Sequence, residues 1–226
     1  MDPVDIAQIE EQAFKRMAPV ISHEIRNPLA IIKNSSYFIK AKLEATGGVD
    51  PKVAKHVGII ESEVKRADDT LGEILSYTRM PAPAPKPVSL NELVEKALSG
   101  WSAPDGVEVK LDLASKGPSV PADAPLLAKC VVHLVRNAAE AAGKGLVRVK
   151  TMTTASAVVI EVSDSGPGLA PEAKENLFTP FFTTRPRGIG LGLAYVKKVV
   201  GLHKGEIQVE SGPGKGVVAK ISLPLK

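Results

Sequence analysis

The chain has 226 residues, with 29 Lys and Arg against 25 Asp and Glu and a formal charge of +4. Aromatics at 4% and the lack of a dense basic block argue against a nucleic-acid surface, and a lone cysteine, Cys130, excludes an intrachain disulfide or a cysteine metal cluster. No apolar run reaches membrane-spanning length and the first residues carry no signal-peptide pattern. The expectation is a cytoplasmic chain, with any membrane anchor lying outside it.

The first eighty residues read as helix with one interruption. Ile25, Leu29, Ile32, Ser36, Ile39 and Leu43 are spaced alternately by four and three, the seam of a helical bundle. TGGVDP, residues 46–51, is a turn, and Pro51 suits the first turn of a second helix. Val53, Val57, Ile60, Val64, Ala67, Leu71, Ile74 and Thr78 then repeat the rhythm. A short loop between two such helices makes an antiparallel hairpin. One hairpin leaves a long apolar stripe uncovered, so a homodimer with a four-helix bundle is expected. The alternative is a hairpin packed on the second half of its own chain.

PAPAPKP, residues 81–87, favours polyproline II and blocks helix continuation. At ~3.1 Å per residue it is a semi-rigid spacer of roughly 20 Å. Past it, Ser89 and Glu92 have the spacing of a capping box. VEVKLDL alternates as a strand, and Asp123 to Ala142 is a long helical run. LVRVKTMT and AVVIEVSD form a hairpin, GLAYVKKVVGLH is a helix, and GEIQVES with GVVAKISLPL forms a second hairpin. The predicted fold class is α+β: a helical hairpin over 1–80, a linker over 81–88, and a two-layer sandwich over 89–226.

SHEIRNPLA, residues 22–30, places Ser22 in the seam and His23 just outside it, facing solvent. Asn27 follows one turn along the same face. Pro28 has no N–H and opposes the carbonyl of Glu24, so a kink is expected. A lone surface histidine usually does nothing. A HExxH zinc signature fails, because its fifth position is Asn27. Asn137, in HLVRNAAEAA, needs a partner: either magnesium, for which one amide oxygen suffices, or a core network. DSGPGL, residues 164–169, reads either as a ligand-facing strand end or as a turn. GIGLGLA, residues 188–194, allows phosphate at a helix N-terminus, though neither Rossmann nor P-loop spacing is present.

Taken in order, SHEIRNPLA, HLVRNAAEAA, DSGPGL, FTPFFTT and GIGLGLA closely resemble the H, N, first glycine, F and second glycine boxes of bacterial sensor histidine kinases. The resemblance spans nearly the whole chain and is nearest to the nitrogen-regulation type. It implies a dimeric bundle followed by a sandwich of the GHKL ATPase/kinase type, using ATP and magnesium. His23 would be the phosphorylated nucleophile, acting through Nε2, with Glu24 holding the other ring nitrogen. Asn27 would orient water for dephosphorylating a partner's phospho-aspartate. Asn137 would bind magnesium, and Asp164 the adenine amino group, with Gly166 and Gly168 shaping the pocket. Gly188, Gly190 and Gly192 would admit the phosphates, and Phe181 and Phe182 would anchor a short lid. Arg185 and Arg187 in that lid could meet phosphate or the partner helix, or face solvent. The implied partner is a response-regulator receiver domain. His133 stands where the family usually has Asn, and Glu140 where many members have Lys. A hydrolytic ATPase of the same superfamily would carry a carboxylate base at position 133. A non-catalytic scaffold would have no use for His23, Glu24, Asn137 and Asp164 together.

Overall fold

The computed structural model describes residues 3–45, 50–185, 188–212 and 214–225, with side chains from residue 14 onward. The core of the predicted turn, residues 46–49, and Arg187 lie outside the described residues. The chain divides into two compact units, Met1–Met80 and Pro81–Lys226.

The first unit pairs α1 (Pro3–Ala45) with α2 (Pro51–Thr78). Asp50 caps α2, its carboxylate accepting from the Lys52 N–H at 2.7 Å, with Pro51 at the first helical position. Helix α1 continues through both Pro19 and Pro28. The predicted seam divides in two. Val57, Val64, Leu71 and Thr78 of α2 are buried, one residue per heptad, as are Ala18, Ser22 and Ser36 of α1. Much of the alternate set is not covered: Ile25, Ile32 and Ile39 are 41, 45 and 46% exposed, and Val53 and Ile60 are 40 and 42% exposed, with Ala67 and Ile74 half-buried. One chain therefore closes half of its own seam. Arg26–Asp68 at 2.7 Å and Lys40–Glu61 at 3.5 Å tie the two helices at the rim. Such exposed pairs contribute about 0.2–1 kcal/mol each, so packing sets the pairing.

In the second unit β1 (Lys86–Ser89) pairs antiparallel with β3 (Ser119–Ala122). Residues 86–88, expected in the linker, therefore belong to the folded unit. Ala84 is tied down as well, its N–H donating to Asp123 Oδ2 at 3.0 Å. Ser89 is the N-cap of α3 (Leu90–Leu98), but its side chain makes no capping bond. The expected capping box is thus not formed; the first helical amide, that of Leu90, donates to the Pro118 carbonyl at 2.8 Å.

The main sheet has the order β2 (Val107–Asp112), β4 (Gly145–Thr153), β5 (Ala157–Asp164), β7 (Val217–Pro224), β6 (Glu206–Ser211). Only the β2–β4 pair is parallel. Both predicted hairpins, β4–β5 and β6–β7, are present. Helices α3, α4 (Ala124–Ala142) and α6 (Gly192–Leu202) form the second layer. Val147, Val149, Val158, Ile160, Val162, Ile221 and Leu223 supply the sheet side of the core, and Leu127, Val131, Leu134, Val135, Val196 and Val199 the helical side. Each fully buried side chain of this size contributes about 1.5–3 kcal/mol. A short helix, α5 (Pro171–Glu175), follows β5. Among the described residues no helix is long and apolar enough to cross a membrane.

Candidate functional site

His23 projects from α1 with its side chain 75% exposed, and Glu24 beside it is 73% exposed. His23 Nδ1 lies 3.7 Å from Glu24 Oε1. That is longer than a hydrogen bond and within one side-chain adjustment of it. The carboxylate faces Nδ1 and leaves Nε2 open to solvent. Adjacent helical residues point about 100° apart, so the glutamate reaches the ring by its length alone. Asn27 is exposed one turn further along.

In the second unit the motifs gather on one helix, α4. Asp123 caps it, Oδ1 accepting from the Leu126 N–H at 3.1 Å. Asn137 lies in its C-terminal half. The Cβ of a side chain at Gly166 would sit 2.7 Å from the Ala141 carbonyl oxygen and 2.8 Å from Asp164 Oδ1. Only a glycine lets DSGPGL approach α4 this closely. At Gly192 the same atom would lie 3.3 Å from His133 Nδ1 and 3.9 Å from Asn137 Nδ2. The start of α6 is therefore set against α4 at Asn137. Gly190 has φ +73°, and a Cβ there would run into the Phe182 carbonyl. Its own carbonyl accepts from the Phe181 N–H at 3.0 Å, closing the loop between FTPFFTT and GIGLGLA. Phe181 is itself left-handed, at φ 65°, and exposed, whereas Phe182 is half-buried. Gly168 packs on the Gly212 carbonyl, and Gly188 on Thr183. The N-cap of helix α6, Leu191, offers no side-chain capping bond to the amides of its first turn.

Asp164 ends β5, half-buried, with Oδ1 accepting from the Gly166 N–H at 2.8 Å. Burial raises its carboxyl above the ordinary range, opposed by bonds from the Gly166 and Val217 amides and by the charge of Arg185. The contribution of β7 was not legible in DSGPGL.

His133 is 5% exposed. Arg136 Nη2 lies 3.2 Å from its Nδ1, and since guanidinium only donates, Nδ1 is the acceptor. The Tyr195 ring stacks at 5.2 Å, tilted by 51°. Burial, then the Arg136 and Lys129 charges, push its pKa down to about 3, so the ring is neutral. With Nδ1 engaged, that nitrogen is closed to a metal.

Arg185 turns inward. Its Nη1 donates to Asn137 Oδ1 at 3.0 Å, its Nη2 to the Asn137 carbonyl at 3.0 Å, and Nη1 also pairs with Glu140. The Asn137 amide oxygen thus accepts a hydrogen bond from a cationic side chain. The available hint in sequence was Glu140 at a position commonly held by Lys. Among the described residues no three His, Cys, Asp or Glu side chains cluster as a metal site. One amide oxygen suits a cation that keeps phosphate and water as its other ligands.

Residues 15–83 match the family described as His Kinase A (phospho-acceptor) domain. Residues 122–226 match Histidine kinase-, DNA gyrase B-, and HSP90-like ATPase. A phospho-acceptor hairpin joined to an ATPase-type sandwich defines a two-component transmitter. Sensor histidine kinase ZraS of Escherichia coli (strain K12) is 33% identical over 217 residues, covering 94% of this chain and 46% of ZraS. Sensory histidine kinase/phosphatase NtrB of Rhodobacter capsulatus is 31% identical over 226 residues, covering 92% of this chain and 61% of NtrB. The chain spans about half the length of the first of these curated relatives. The crystal structure of full-length ShkA with AMPPNP matches with a TM-score of 0.75 at 23% identity, over 92% of this chain and 45% of ShkA, a likeness of fold. That of histidine kinase ThkA in complex with response regulator protein TrrA matches with a TM-score of 0.67 at 28% identity, over 100% of this chain and 68% of that chain. The chain belongs to the sensor histidine kinases, as their transmitter core.

Proposed function

We propose that this chain binds magnesium-ATP in its second unit, phosphorylates His23, and passes the phosphoryl group to an aspartate of a response-regulator receiver domain. The observation that carries the reading is the convergence of Asn137, Asp164 and both glycine boxes on α4, in a chain whose other unit exposes a histidine. Asp164 accepts the adenine amino group, Gly166 and Gly168 shape the pocket wall, and Gly188, Gly190 and Gly192 admit the phosphates to the start of α6. Phe181 and Phe182 hold the base of the lid. Asn137 holds magnesium, which when bound neutralises phosphate charge. Glu24 keeps the proton on Nδ1, so Nε2 presents its lone pair. The N–P bond forms at Nε2 as the bond from the γ-phosphorus to the bridging oxygen breaks, and ADP leaves. That step requires the two units to approach, and residues 81–83 are what remains of the expected spacer between them. A requirement for ATP supports a cytoplasmic location for this chain. Incubation with γ-labelled ATP and magnesium tests the reading: acid-labile, alkali-stable label is expected, and acid-stable label contradicts it.

The uncovered half of the seam supports a homodimer. Ile32→Asp places a charge on that stripe and is expected to sediment as a monomer, against a parent at twice 23.8 kDa. An Ile32→Asp variant that stays dimeric would place the interface elsewhere.

A second activity is proposed for Asn27, exposed one turn from His23: orienting water against a receiver's phospho-aspartate. The likeness to a relative named a kinase/phosphatase supports it, as does the nitrogen-regulation form of NAAEAA. Asn27→Ala should keep self-phosphorylation and lose most dephosphorylation of a cognate phospho-receiver. Unchanged dephosphorylation by that variant counts against the assignment.

A further inference from the structure

We infer that Arg185 is a resident competitor for magnesium at Asn137, and that Glu140 holds it there until nucleotide arrives. The inference rests on the reading of Asn137 as the magnesium ligand. Three contacts carry it. Arg185 Nη1 sits 3.0 Å from Asn137 Oδ1, the one oxygen that reading gives to the metal. Nη2 sits 3.0 Å from the main-chain oxygen of the same residue. The third contact is the ion pair with Glu140, one turn further along α4.

The geometry forces a competition. A guanidinium and a divalent cation repel each other when both lie against one amide oxygen, so Arg185 in this position opposes magnesium. The cost of moving Nη1 aside is set by what else holds Arg185. Near the C-terminal end of α4 the helix dipole also favours a cation. A lysine at 140 would repel Arg185 and leave Asn137 uncovered. This chain reverses that arrangement, with the anion on the helix and the cation on the loop. Arg185 and Glu140 are 38 and 45% exposed, so solvent screens their attraction. The contact is thus strong enough to occupy the site and weak enough to yield. It couples departure of Arg185 to arrival of the metal–nucleotide complex.

The test is ATP binding by calorimetry across a magnesium series, in the parent chain, Glu140→Gln, Arg185→Gln and the double variant. Each single variant should lower the magnesium concentration for half-maximal binding by about two- to fivefold, the equilibrium worth of one half-exposed ion pair. The double variant should go no further, because both changes release the same contact. In nucleotide-free protein, the side-chain amide resonance of Asn137 should shift in Glu140→Gln. An unchanged magnesium requirement with an unmoved Asn137 resonance overturns the inference and leaves nucleotide binding standing. A higher magnesium requirement in Arg185→Gln makes the arginine a ligand contact and also overturns it. A parent chain that binds no ATP at any magnesium concentration overturns the site reading together with the inference.

Discussion

His23→Gln should take up no label from γ-labelled ATP while binding the nucleotide as tightly as the parent. The loss is expected to be complete because no other group on that stretch of α1 can substitute. The glutamine nitrogen has its lone pair delocalised into the carbonyl, so it keeps a polar tip and loses the nucleophile. The fold should not notice. The side chain is 75% exposed and its recorded neighbour is Glu24 at 3.7 Å. Surface changes of this kind stay within about 0.5 kcal/mol of the parent. Nucleotide affinity should be unchanged, because Asn137, Asp164 and the glycine boxes all lie in the other compact unit. Retained label would move the acceptor away from His23. Lost label together with lost nucleotide affinity would mean the substitution had damaged the fold.

Acid should destabilise the second unit through His133. Folding holds this ring neutral, with its pKa lowered from 6.5 to about 3 by burial and by the Arg136 and Lys129 charges. Between those two values the unfolded chain binds a proton that the folded chain does not. The stabilisation from keeping the ring neutral is thus full above pH 6.5 and is lost as pH falls toward 3. Each pH unit in that window costs up to about 1.4 kcal/mol, enough over two or three units to threaten a domain of ordinary stability. The variant that checks this is His133→Asn, which removes the titrating group and keeps a polar side chain. Its absolute stability matters less than its slope. Denaturant unfolding at pH 7, 6, 5 and 4 should show the parent losing stability faster than the variant. Parallel slopes would mean the buried ring is not the source. The result also bears on rivals. A neutral imidazole with Nδ1 occupied by Arg136 cannot replace the carboxylate base of a hydrolytic ATPase at that position.

Much of the fold was legible because strand and helix periodicity are local. The β4–β5 and β6–β7 hairpins each lie within some twenty residues of chain, and the alternation of LVRVKTMT and GVVAKISL marks their buried faces. Pairing over longer distances was not legible. Nothing in VEVKLDL states that it runs parallel to β4, or that β7 inserts between β5 and β6. Residues 86–88 looked like linker because they follow the alternating prolines of PAPAP; they become strand only because SVPA, some thirty residues on, offers an edge. Ser89 and Glu92 have the spacing of a capping box, yet the Ser89 side chain makes no capping bond. The heptads of α1 and α2 marked a seam without telling which half a single chain closes. Periodicity reports an apolar face and not its partner.

The sequence by itself determined the chemistry available and its order along the chain: an imidazole followed by a carboxylate on a helix, an amide on another helix, a carboxylate at a strand end, and glycines where backbone must come close. These are properties of side chains and short spacings, and they survive any packing. The tertiary structure alone decided their states. His133 is neutral because α4 buries it beside Arg136 and Tyr195. Arg185 lies on Asn137 because a loop 48 residues away folds back over the helix that carries Glu140. Proton affinity and ion pairing depend on solvent exclusion and on distance across space, and neither is written in the order of residues.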